Sequence, residues 1–68
     1  MEAKNGPHPL VQQLQSRMFS ARLKVGRVMQ EANVSPSTWS RWGAGTEPNL
    51  GTLRRVEAAI ERLEGERA

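Results

Sequence analysis

The run Ala32-Asn33-Val34-Ser35-Pro36-Ser37-Thr38-Trp39-Ser40-Arg41-Trp42 ends one helix and starts another. Asn33 closes an apolar series at helical spacing, and Asn tolerates the left-handed conformation in which helices stop. Ser35 is placed to cap a new helix with its hydroxyl. Pro36 follows at the first helical position, where its missing N–H costs nothing. Trp39 and Trp42, three residues apart, share a face of that helix and are expected in the core. Gly43, Ala44 and Gly45 stop it, so the helix is expected over Pro36 to Gly43 or Ala44.

Working outward, Leu10, Val11, Leu14 and Met18 recur at helical spacing, with Gln12, Gln13, Gln15 and Arg17 on the opposite side. Leu23, Val28, Met29 and Ala32 form a second series. The break between the two is expected near residues 21–24, with Ser20 as an alternative cap and residues 24–26 as an alternative position. Downstream, Glu47-Pro48-Asn49 reads as a loop whose Asn49 can cap another helix. Leu50, Leu53, Val56, Ile60 and Leu63 then carry the strongest periodicity in the chain, and Gly65 is expected to end it. Met18, Phe19 and Met29 read as core residues, and Arg54 as a surface partner for Glu57 one turn on. Residues 1–9, MEAKNGPHP, contain helix breakers and no apolar repeat, so a flexible arm is expected there. No strand signal or repeat is present. The expected fold is all-α, a compact bundle of four to five short helices, with an arm at 1–9, a domain at 10–64 and a tail at 65–68.

Composition limits the function. The chain has 68 residues, and a domain this small buries only about 60% of its unfolded surface. It has no Cys, Asp or Tyr, and its single His is His8. Disulfides and thiolate metal sites are thereby excluded, and a catalytic centre would have to be built from Glu and Ser. No enzyme activity, cofactor or small-molecule substrate is expected. No apolar run approaches the roughly 20 residues of a membrane span, and the first residues lack the apolar core of a signal peptide. A cytoplasmic protein is expected. The net charge is +3, and it is uneven. Residues 17–41 hold five cations against one anion, whereas residues 50–68 balance four Arg with four Glu. A basic region of this kind attracts polyanions.

Two helices joined by a short turn, the second capped and free to present its start, make a helix-turn-helix whose second helix fits the DNA major groove. The residues Asn33 to Trp42, followed by Gly45, Pro48, Leu50, Thr52, Leu53 and Val56, resemble the Cro/lambda-repressor-like helix-turn-helix family. The resemblance spans about residues 10–63 and is densest over 32–56. The chain differs from the family's usual pattern at Lys24 and Val25, where the family has Thr or Ser followed by Gln. It differs also at Asn33, Met29 and Trp39, where Gly, Ala and Ile or Val are common.

The resemblance implies a sequence-specific double-stranded DNA-binding transcriptional regulator, a repressor of bacterial or phage origin, reading the major groove with helix 36–44. Pro36, Ser37, Ser40 and Arg41 are the expected base contacts, with Arg41 able to fork onto a guanine. Lys24, Arg27, Ser35, Thr38, Thr46 and Asn49 are the expected phosphate contacts. A single module buries little surface on DNA, so a homodimer on two half-sites is expected. Ile60 and Leu63 are a candidate dimer contact, weighed against simple packing of an amphipathic helix on its own core. Two other readings remain open: a protein-binding antitoxin-like or phage accessory module, and an architectural excision or recombination factor.

Overall fold

The computed structural model describes residues 8–67, with Arg67 as backbone only. Helix α1 spans Pro9–Ser20, α2 Val25–Ala32, α3 Pro36–Gly43 and α4 Leu50–Arg67. Among the described residues there is no strand, and the fold is all-α.

The first three helices end in the same way. Arg22, Asn33 and Gly45 take left-handed backbone angles, with φ of 61°, 60° and 107°. Each donates its own N–H to a carbonyl three residues back, Phe19, Gln30 and Trp42, at 3.1 Å. The following residue reaches five back: Leu23 to Met18 at 2.8 Å, Val34 to Met29 at 2.9 Å and Thr46 to Arg41 at 3.0 Å. These paired bonds satisfy carbonyls that a helix end leaves open. They also turn Leu23 and Val34 back onto the core, where both pack partly buried.

Three of the four starts are capped by side chains. His8 Nδ1 accepts from the Leu10 amide at 3.1 Å, Ser35 Oγ from the Ser37 amide at 3.3 Å, and Asn49 Oδ1 from the Thr52 amide at 3.3 Å. Only α2 has no side-chain cap; Lys24 precedes it, and Ser20 is the last residue of α1 rather than a cap. The expected arm at 1–9 is corrected at its end. Pro9 is the first residue of α1, where a proline starts a helix rather than breaking it; residues 1–7 lie outside the described residues. The expected tail at 65–68 is corrected too, because α4 passes through Gly65 to Arg67. A helix already propagating loses only about 1 kcal/mol at a glycine relative to Ala, and no left-handed residue stops it there.

Helix α4 is the spine. Its buried Leu53, Val56, Ala59, Ile60 and Leu63 meet Val11, Leu14 and Met18 of α1, Val28, Met29 and Ala32 of α2, and Trp42 of α3. No polar side chain is buried among them. Side-chain neighbours show the directions: Leu10 lies by Leu50 and Arg17 pairs with Glu64 at 3.2 Å, so α1 runs parallel to α4, while Arg62–Glu31 at 3.5 Å and Arg27–Glu66 at 3.6 Å show α2 antiparallel to it. Truncating Trp42 or Ile60 to Ala costs on the order of 2–5 kcal/mol, a large share of a small domain's stability.

Several expected core positions lie outside. Phe19 is 85% exposed. A step of one residue turns about 100° around a helix, so with Met18 facing inward beside Leu14, Phe19 faces out. Leu10 and Leu50 are 40% and 59% exposed; each stands at a helix start, beyond the last layer of the core. Trp39 is half-buried, whereas Trp42 is 3% exposed. Arg54 makes no ion pair with Glu57 among the described residues; both line a groove with Leu10 and Leu50.

Candidate nucleic-acid interface

Helix α3 is tethered through its tryptophans. Trp42 is buried, and Trp39 leans on it with ring centroids 5.9 Å apart and planes at 58°. That tilted arrangement is a favoured one for aromatic pairs. With this side held, Ser35, Pro36, Ser37, Ser40 and Arg41 are all exposed and Thr38 is half-buried. The expected base contacts therefore stand together on the open side of one short helix. Ser35 Oγ lies 2.8 Å from Ser37 Oγ while it caps the helix. Thr38 donates its amide to the Ser35 carbonyl at 2.9 Å. Arg41 makes no ion pair or side-chain hydrogen bond among the described residues, so its five donors face solvent.

A second group sits at the start of α2. Lys24 and Arg27 line one groove with Arg22, Leu23, Leu63 and Glu66. The first amides of α2 have no side-chain cap, so its positive dipole end adds to these cations. Arg27 already faces a carboxylate, Glu66, and both side chains are more than half exposed. Arg22 belongs to this group and was not an expected contact. Its signal in the sequence is its place between Arg17 and Lys24 in the cation-rich run. Its inclusion depends on the left-handed turn that brings it beside Lys24.

The loop after α3 holds the remaining candidates. Thr46 is exposed, and its amide is bound to the Arg41 carbonyl. Asn49 is exposed and uses its side-chain oxygen to cap α4, which leaves its NH₂ group free to donate outward. No hydrogen bond or ion pair joins the α2 group to the α3 group among the described residues. Nor do these residues contain a group of three or more His, Cys, Asp or Glu that could hold a metal ion. No described helix is long and apolar enough to cross a membrane.

Comparison with protein-family models, with curated proteins and with solved structures returns no match to this chain.

Proposed function

We propose that the chain is a sequence-specific double-stranded DNA-binding transcriptional regulator, in which α2, the turn at 33–35 and α3 act as a helix-turn-helix. The observation that carries this reading is the open side of α3. It presents three small or hydroxyl-bearing residues, Pro36, Ser37 and Ser40, and one unpaired arginine, Arg41, on a helix anchored from behind by Trp42. A major groove about 12 Å wide admits such a helix. Small side chains let its backbone approach the base edges, and Arg41 supplies a bidentate fork for guanine O6 and N7. Lys24 and Arg27, with the uncapped start of α2, provide phosphate contacts that set the register. Ser35, Thr38, Thr46 and Asn49 add hydroxyl and amide donors along the backbone. The resemblance of residues 32–56 to the Cro/lambda-repressor-like family supports the same reading. A module of this size gains useful affinity when two copies occupy neighbouring half-sites.

The test is selection of bound sites from a random duplex library, followed by titration of the selected site with wild type and Arg41→Ala. The variant is expected to lose about 1–3 kcal/mol and to accept any base at one position. Equal affinity and equal selectivity would overturn the assignment of Arg41 as a reader.

A further inference from the structure

Three cations and one carboxylate share the groove at the start of α2. Arg22, Lys24 and Arg27 line it with Leu23 and Leu63, and the carboxylate is Glu66 of α4. Arg22 and Lys24 make no ion pair among the described residues, and α2 has no side-chain cap. A groove of this charge attracts an anion. Glu66, 3.6 Å from Arg27, is the anion that the chain itself supplies. We infer that the end of α4 is a displaceable, autoinhibitory guard on this groove, so that a phosphate group enters as Glu66 leaves. The inference rests on the reading that the groove meets DNA phosphates, and it adds a regulation of that site.

Three features make this carboxylate the one that moves. Beyond Leu63 no described residue of α4 is buried, so core packing does not hold that turn. Gly65 lies between Leu63 and Glu66, and nothing stands within 4 Å of where its Cβ would be. No neighbour requires a glycine there, yet its low helix propensity makes the turn easier to unwind. The ion pair adds little, because both side chains are more than half exposed and such pairs are weak. In the other two pairs of α4, Arg17–Glu64 and Arg62–Glu31, at least one partner is more than half buried. The groove thus has a closed form, with Glu66 on Arg27, and an open form without it. A phosphate group that binds the open form shifts the population toward it. Any change that favours the closed form lowers the apparent affinity by the same factor.

Gly65→Ala tests this, because it strengthens the turn without altering a residue that lines the groove. Inorganic pyrophosphate probes the groove alone, and a duplex carrying the selected site probes DNA binding. In NMR titrations of the full chain, pyrophosphate is expected to shift the amides of residues 24–27. Over the same concentrations the Cα shifts of residues 64–66 are expected to move toward coil values. Gly65→Ala is expected to weaken pyrophosphate and duplex binding by about twofold to fivefold. Glu66→Gln is expected to tighten both by a similar factor, and Gly65→Ala in the Glu66→Gln background to change neither. This pattern with pyrophosphate, but no binding of any duplex, would uphold the guard and overturn the DNA reading. Duplex binding left unchanged by Gly65→Ala, or weakened by it equally in the Glu66→Gln background, would overturn the guard and leave the DNA reading standing. No response of residues 24–27 to either probe would overturn both.

Discussion

Arg22 sits at φ 61°, where a residue with a Cβ is strained by about 1–2 kcal/mol relative to the right-handed region. Its neighbours explain why an arginine there is useful: it lines the groove that holds Lys24 and Arg27. Arg22→Gly separates the two effects. Relief of the strain, offset by the extra freedom of glycine in the unfolded chain, is expected to stabilise the fold by about 0.5–1 kcal/mol, a rise of several degrees in Tm. DNA affinity is expected to fall at the same time. A lower Tm in thermal unfolding would show that Arg22 holds the turn by contacts rather than straining it. Glu66 poses the complementary question, since its carboxylate faces Arg27 at 3.6 Å and, in the proposed DNA complex, would compete with a phosphate for that guanidinium. An exposed pair of this kind is worth little, so Glu66→Gln is expected to tighten duplex binding by about twofold to fivefold. If the gain persists in an Arg27→Gln background, the effect is net charge and not release of Arg27.

At the scale of the element, two glycines have opposite roles. Gly45 ends α3 with φ 107°, and its position lets the Thr46 amide close back on the Arg41 carbonyl. Gly65 lies inside α4, and nothing stands within 4 Å of where its Cβ would be. Gly45→Ala is thus expected to cost about 1 kcal/mol or more and Gly65→Ala to add about 0.5–1 kcal/mol, both readable by urea unfolding. Changes of the same sign would mean that these helix ends are not set by local backbone preference. The contrast also explains what the sequence could tell. The end of α2 and start of α3 were legible, because Asn33, Ser35 and Pro36 act through bonds within a few residues. Gly65 was misread because a glycine permits a stop without requiring one. Phe19 was misread because its neighbour Met18 satisfies the same period, and packing decides which of the two turns inward. The exposure of Ser37, Ser40 and Arg41 followed from the tryptophan face. The gathering of Arg22, Lys24 and Arg27 beside Glu66 did not, since it depends on α4 folding back antiparallel across α2.

Over the whole molecule, those ion pairs redistribute the charge. Glu64 and Glu66 of α4 face Arg17 and Arg27, and Arg62 faces Glu31. Within residues 17–41 this leaves Arg22, Lys24 and Arg41 without an ion pair among the described residues. The effective positive field is therefore narrower than the sequence count suggests, concentrated at the start of α2 and on α3. Cations at a DNA interface release counterions, and the salt dependence of binding falls by about 0.9 in log–log slope for each phosphate contact removed. Lys24→Gln is expected to lower the slope by about that amount between roughly 50 and 200 mM salt, and to weaken all duplex sequences equally. Arg54→Gln removes the same unit of charge from the seam between α1 and α4, where Arg54 lies with Leu10 and Leu50. It is expected to leave the slope unchanged. The two substitutions alter net charge identically, so their difference reports position alone. A slope lowered by Arg54→Gln but not by Lys24→Gln would move the DNA from the α2–α3 side of the bundle to the α1–α4 seam.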